Sequence, residues 1–233
     1  MAHTRTQRLG QHFLADRSVL EQIIQACNLR KTETVCEAGA GTGVLTRELC
    51  SRAGRVVSYE VDRELFSRAK LMEIPNLELV NRDLFREKDI EFDVFVSNLP
   101  YSKSRDAFEW LAVRKFDRAI VMVQKEFAEK LLASPGEKNY RAITAIASYC
   151  FAIKPLFDVG ADAFEPRPKV ESTVLKVTSV NIATGRQIRN ANLLFSKRNR
   201  KASTVAAKMG VSADFGQRRI CQLEPAEIME LAR

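Results

Sequence analysis

Short apolar runs alternate with amphipathic stretches through the first 150 residues of this chain, and then the alternation stops. Residues 33–38, 55–60, 77–80, 93–97 and 118–123 have the length and apolar content of strands. Residues 44–52, 63–72, 107–113, 125–133 and 141–149 carry helical spacing. Strands separated by helices pack as a doubly wound parallel sheet, with helices on both faces. Residues 151–159 and 173–180 then read as two strands with no helix between them. Only a loop containing Phe164-Glu165-Pro166-Arg167-Pro168-Lys169 joins them, which predicts an antiparallel hairpin at one edge. The expected fold is therefore α/β, a Rossmann-like seven-stranded sheet whose last strand is antiparallel. Past residue 180 the apolar content falls and basic residues rise. Residues 1–180 are expected to form the main domain and 181–233 a small basic helical one.

A chain of 233 residues is long enough for one such domain with a full core and an appendage. Its net charge of +8 favours a polyanionic partner, although a basic but unspecialised enzyme carries the same balance. Five cysteines, at 27, 36, 50, 150 and 221, form no C-x-x-C pair. They suit a reducing compartment, with Cys36 and Cys150 as small buried hydrophobes. His3 and His12 are too few and too close to the N-terminus to suggest a metal site. No apolar run approaches the roughly 20 residues needed to span a bilayer. The basic start lacks the apolar core of a secretory signal, so a cytoplasmic location is expected, with no membrane partner.

Three groups of residues fall at expected strand ends. Glu37-Ala38-Gly39-Ala40-Gly41-Thr42-Gly43 follows the first strand. Its glycines let the backbone approach a ligand closely, or simply make a tight packing turn. The spacing differs from the G-x-G-x-x-G of dinucleotide binding, and no Lys-Ser/Thr pair follows as in a phosphate loop. Glu60 ends the second strand, where a carboxylate can accept both hydroxyls of a ribose. Asp83 follows the third, placed for an adenine amino group, with Leu84 near the ring. Either acid alone is equally readable as a solvated loop residue. Asn98-Leu99-Pro100-Tyr101 closes the fourth strand. There Asn98 and a neighbouring carbonyl can accept hydrogen bonds from an exocyclic amine, while Tyr101 offers a face to a base. The plainer reading is a proline turn with Tyr101 capping the core. In an open α/β sheet, ligands bind beyond the carboxyl ends of the strands at the switch point, so the glycine turn and Asn98 should share one crevice.

In order, the chain carries Gln11-His12-Phe13-Leu14, Glu37 to Gly43, Glu60-Val61-Asp62, Asp83-Leu84, Asn98-Leu99-Pro100-Tyr101 and Gln124-Lys125-Glu126. Phe164-x-Pro166-x-Pro168-Lys169-Val170-x-Ser172 follows. Over residues 7–180 this resembles the KsgA-type family of small-subunit ribosomal RNA adenine N6,N6-dimethyltransferases. Relatives acting on large-subunit RNA usually show Gln-Asn-Phe-Leu and Asn-Ile-Pro-Tyr instead. The resemblance implies S-adenosylmethionine as methyl donor and two adjacent adenosines near the 3′ end of small-subunit rRNA as targets, met in the immature subunit. It implies a cofactor site made by Gln11, His12, Leu14, Glu37, Gly39, Gly41, Glu60, Val61, Asp83, Leu84 and Asn98. It further implies that Asn98 and the Leu99 carbonyl hold the target amine beside Pro100, and that Tyr101 and Phe164 sandwich the flipped base. Lys197, Arg198, Arg200 and Lys201 read as phosphate contacts or as a solvated charged helix face, and Arg218-Arg219 as an extension of them.

The chain departs from the family after Tyr101, where Ser102-Lys103-Ser104-Arg105-Asp106 brings in two cations and replaces a usual proline by Asp106. Its C-terminal part is short for the family. Methylation of a different RNA adenine, or assembly-factor binding of the immature subunit without catalysis, remain the other readings of these residues. Nothing in the sequence demands more than a monomer.

Overall fold

The computed structural model describes residues 12–98, 100–211 and 215–233. Seven strands form the main sheet: β2 (Thr34–Ala38), β3 (Arg55–Tyr59), β4 (Leu77–Val80), β5 (Val94–Asn98), β6 (Arg118–Gln124), β7 (Phe151–Val159) and β9 (Ser172–Ser179). Their order is β4-β3-β2-β5-β6-β9-β7. The pairs among β2 to β6 are parallel, and β9 runs antiparallel to β6. The order reverses between β2 and β5, and this is the switch point. The seven-stranded, Rossmann-like expectation therefore holds, with β9 inserted between β6 and β7.

The central strands are continuous apolar runs because both faces are covered. Val35, Cys36, Val94, Phe95, Val96, Val121 and Val123 are all fully buried. Helix α1 (Arg17–Cys27) shows how cover is supplied. Asp16 caps it by accepting from the N–H groups of Ser18 (2.7 Å) and Val19 (3.1 Å). Leu20, Ile23, Ile24 and Cys27, spaced along one face, are buried against the sheet. Each large aliphatic buried this way contributes about 1.5–3 kcal/mol. At the opposite edge of the sheet from the glycine turn, Arg118 bonds the carbonyls of Cys27 and Asn28 (2.7 Å each) and both oxygens of Glu33 (2.9 and 3.0 Å). That clasp joins the end of α1 to the starts of β2 and β6.

Helix α1 was not read from the sequence, and neither were two short strands. Strand β1 (Phe13–Leu14) pairs antiparallel with β8 (Phe164–Glu165), opposing Leu14 to Phe164. Two-residue strands are too short to show a period.

The chain divides into two compact units. One holds Met1–Ser104, Phe116–Lys125 and Lys154–Thr178. The other takes Arg105–Lys115, Glu126–Ile153 and Ser179–Arg233, so compactness divides the chain otherwise than at residue 180. Within the second unit, a helix at Pro225–Leu231 packs on helices at Ala142–Cys150 and Gly185–Phe195. Tyr140 is fully buried there, donating to the carbonyl of Leu223 at 3.0 Å with its ring against Phe195. Among the described residues, no helix is long and apolar enough to cross a membrane.

Candidate active site

The glycine turn leaves β2 in a conformation few other residues adopt. Gly39 and Gly41 have φ of 84° and 56°, in the left-handed region. The N–H groups of Gly39 and Ala40 both donate to the carbonyl of Tyr59 (2.8 and 3.2 Å), tying the turn to the end of β3. Gly41 N–H donates to Oε2 of Glu60 (2.8 Å) and Asp62 N–H to its Oε1 (2.9 Å). A Cβ placed on Gly39 would meet no atom within 4 Å, because that side opens onto a cleft.

Two adjoining cavities lie there. One, open to solvent, is lined by His12, Leu14, Gly41 and Asn98. The other, also open, is lined by Val61, Asp83, Leu84 and Lys103. Gly39, Glu60 and Pro100 line both, so a single elongated ligand can run through the two. The glycine turn and Asn98 do share one crevice, as expected at the switch point. Gln11 and Leu99 lie outside the described residues.

Asp83 caps the short turn Leu84–Arg86 through Oδ1, which accepts from Phe85 N–H at 3.0 Å. Its Oδ2 faces Lys103 Nζ at 3.7 Å. Glu37 is placed differently from the expectation that it joins the cofactor surface. It lines neither of these cavities and is fully buried beneath the turn. Its Oε2 accepts from Thr46 Oγ1 (2.7 Å) and Ser58 Oγ (2.5 Å), and its Oε1 has no partner. Burial pushes the Glu37 carboxyl up to about 7, against the Ser58 and Thr46 hydrogen bonds and helped by the charge of Glu60.

At the end of β5, Ser97 Oγ donates to the carbonyl of Ala38, holding this strand against the glycine turn. The Asn98 amide Nδ2 donates to the carbonyl of His12 (3.4 Å). The Tyr101 hydroxyl and Ser172 Oγ are 2.9 Å apart, and the Tyr101 ring sits 5.6 Å from that of His12. Phe164 does not face Tyr101 as one half of a sandwich. Its pairing opposite Leu14 turns it into the apolar cluster with Val159, Ala163 and Val174, where it is 4% exposed. Lys125 holds Asp158 (2.8 Å) and Glu171 (2.9 Å), anchoring the loop that leads into Ser172. Ser172 carried no separable signal, since it was read only as part of a motif, whereas His12 was expected at the cofactor and does line the first cavity.

In the second unit, residues 196–200 form the turn that follows the Gly185–Phe195 helix, not a helix face. Lys197, Arg200 and Lys201 are exposed there. Arg198 is half-buried and reaches the carbonyl of Lys138 at 3.5 Å, so it is less available than its three neighbours. Arg218 is held by both oxygens of Glu227 (2.8 and 2.7 Å). Among the described residues, no cluster of three His, Cys, Asp or Glu side chains is placed to hold a metal ion.

A mixed sheet in this order, with a glycine turn, an acid ending β3 and an Asn-x-Pro-Tyr turn ending β5, defines a Rossmann-like methyltransferase. Residues 2–219 match the family model described as ribosomal RNA adenine dimethylase, and the chain belongs to that family of rRNA-methylating enzymes. It is 39% identical over 199 residues to the ribosomal RNA small subunit methyltransferase A of Thermotoga petrophila, covering 83% of this chain and 76% of that one. The protein of the same name from Thermotoga maritima is 36% identical, over 97% of this chain and 83% of its own length. A dimethyladenosine transferase from Plasmodium falciparum shares the fold at a TM-score of 0.79 with 24% identity, covering 94% of this chain and 96% of that one. The 23S rRNA methyltransferase ErmE is similar at a TM-score of 0.65 with 26% identity, over 94% and 98%.

Proposed function

We propose that this enzyme dimethylates N6 of two adjacent adenosines near the 3′ end of small-subunit rRNA, using S-adenosylmethionine and acting on the immature subunit. The single observation that carries the reading is Asn98 lining one cleft with the glycine turn, its amide nitrogen already engaged. In this reading the amide so held offers Oδ1, an acceptor, to whatever enters. An exocyclic amine is the donor that matches it.

The cleft fits the cofactor. Gly39 leaves open the space that a Cβ would fill, and acids stand where a ribose and an adenine amine need acceptors. In this reading Glu60 holds the ribose, Asp83 takes the adenine amine through Oδ2, and Leu84 and Val61 flank the ring. Leu14 and Gly41 border the methionine end. Bound there, S-adenosylmethionine supplies a methyl group on a sulfonium that departs as a neutral thioether.

The chain's residues then have a positioning task. An adenine amine is a weak nucleophile because its lone pair is delocalised into the ring. Accepting a hydrogen bond at Asn98 favours a more tetrahedral nitrogen, whose proton is free to leave once the new C–N bond has formed. Pro100 shapes the turn, and Tyr101 stacks on the flipped base while Phe164 supports the wall from the core. Stacking of about 1–3 kcal/mol per base offsets much of the cost of unstacking. Aligning nitrogen and methyl is the main contribution to rate. Residues 1–180 carry this chemistry. Residues 181–233 engage RNA phosphates through Lys197, Arg200 and Lys201, with Arg198 in part, and the enzyme works as a cytoplasmic monomer.

The test is nucleoside mass spectrometry of unmethylated small subunits incubated with the protein and S-adenosylmethionine, beside Asn98→Ala. N6,N6-dimethyladenosine with the parent and almost none with the variant is the expected result. A protein that binds the subunit but leaves its adenosines unmodified would overturn the proposal.

A further inference from the structure

We infer that His12 is a positioning residue for the target base: it aims the acceptor oxygen of Asn98 and backs the ring of Tyr101. The inference rests on the reading of Asn98 and Tyr101 as target contacts. Three observations converge on this one residue. His12 Nδ1 lies 2.7 Å from the carbonyl oxygen of Pro166. A carbonyl only accepts, so Nδ1 carries a proton and donates. The His12 carbonyl accepts from Asn98 Nδ2 at 3.4 Å, and an amide held this way keeps Oδ1 as its acceptor for the target amine. The rings of His12 and Tyr101 lie 5.6 Å apart at 30°, within the range of an aromatic contact.

These contacts join pieces of chain that are remote in sequence. His12 immediately precedes β1, whose pairing with β8 sets where its side chain starts. Pro166 immediately follows β8. His12 thus couples the Pro-rich loop to the Tyr101 turn through its ring, and its backbone carbonyl, placed by that anchored ring, meets the end of β5. His12 also borders the cleft, where a cofactor role was expected of it, so the two roles must be separated by experiment.

Asparagine separates them. Its Cγ–Nδ2 bond overlays Cγ–Nδ1 of histidine, so His12→Asn keeps a donor for Pro166 and loses only the ring. His12→Ala loses both. Affinity for S-adenosylhomocysteine is measured by calorimetry, and kcat and KM on unmethylated small subunits by methyl incorporation. His12→Ala is expected to lower kcat about 30-fold or more, as misplacement of reacting groups does, with cofactor affinity changed less than about threefold. His12→Asn is expected to recover most of kcat while KM for the subunit rises, because Tyr101 has lost its backing. Should His12→Ala fail to fold, the split in His12→Asn between near-parental kcat and raised subunit KM carries the test. Loss of cofactor affinity in step with kcat overturns the inference, as does His12→Asn performing no better than His12→Ala. Full activity in Asn98→Ala, run in parallel, overturns the underlying reading of the site and this inference with it.

Discussion

The backbone N–H of Gly41 donates to Oε2 of Glu60 at 2.8 Å, joining the glycine turn after β2 to the acid that ends β3. The carboxylate also accepts from Asp62 N–H, so it is oriented before any ligand arrives. Replacing it by glutamine removes one acceptor and points an NH2 at one of two donors. Glu60→Gln is expected to weaken S-adenosylhomocysteine binding about tenfold or more, since hydrogen bonds to a charged group contribute about 1.5–3 kcal/mol. Isothermal calorimetry checks this, and an unchanged affinity removes Glu60 from the ribose site.

Gly39 tests the cleft from the other side. Alanine at φ 84° carries a left-handed cost of about 1–2 kcal/mol, yet its methyl would strike nothing in the protein. Gly39→Ala is therefore expected to fold, with a small loss of stability in urea, and to lose cofactor affinity because the methyl occupies ligand space. A variant that binds cofactor normally would place the ligand elsewhere.

Glu37 makes stability depend on pH in an unusual direction. Its carboxyl, raised in the fold from 4.5 to about 7, binds more protons in the native than in the unfolded chain between those values. The Glu37 contribution thus falls as pH rises across that window and is lost above it. Glu37→Gln keeps an acceptor for Thr46 and Ser58 without the charge. It is expected to flatten the stability profile between pH 4.5 and 7 and to be more stable than the parent at pH 8, by on the order of 1–3 kcal/mol. Urea midpoints across that range decide it. A parallel pair of profiles would exclude a buried, protonating Glu37.

Glu33 behaves oppositely. The Arg118 guanidinium beside it holds its carboxyl down to about 2, from 4.5. The unfolded chain binds more protons between these values, so the stabilisation is fully present above pH 4.5 and is lost as pH falls toward 2. Glu33→Gln is expected to cost about 2–4 kcal/mol at neutral pH, because Arg118, only 13% exposed, loses its countercharge and one of two carboxylate acceptors. The clasp lies at the far edge of the sheet from the cleft, so kcat at a permissive temperature should stay unchanged. Equilibrium urea unfolding at pH 7 and pH 3 measures the difference, which should shrink at the lower pH.

The sheet was legible because β2, β5 and β6 are buried on both faces and therefore written as unbroken apolar runs. The missing helix after residue 159 told equally plainly that the last two strands are neighbours. The acids were legible by place: Glu60 and Asp83 follow strands, and both reach the cleft. Orientation was not legible. Glu37 belongs to the same motif as Gly39, and nothing in a string of residues says that its carboxyl turns under the turn toward Thr46 and Ser58. Phe164 was expected to stack on the base only because the family resemblance implied it. Its inward direction is decided by the two-residue pairing with β1, which leaves no periodic trace. Lys103 was visible as a departure, but its approach to Asp83 depends on how two separate loops fold back.

Strand β9 lies between β6 and β7 although it is the last of the three to leave the ribosome. A nascent chain that has emerged only as far as the Pro-rich loop therefore holds β6 and β7 with no strand yet between them, and Tyr101 without its Ser172 partner. The strand that closes the sheet also brings the serine that meets the Tyr101 hydroxyl. Until residues 172–179 have been made, the sheet keeps an open seam beside β6.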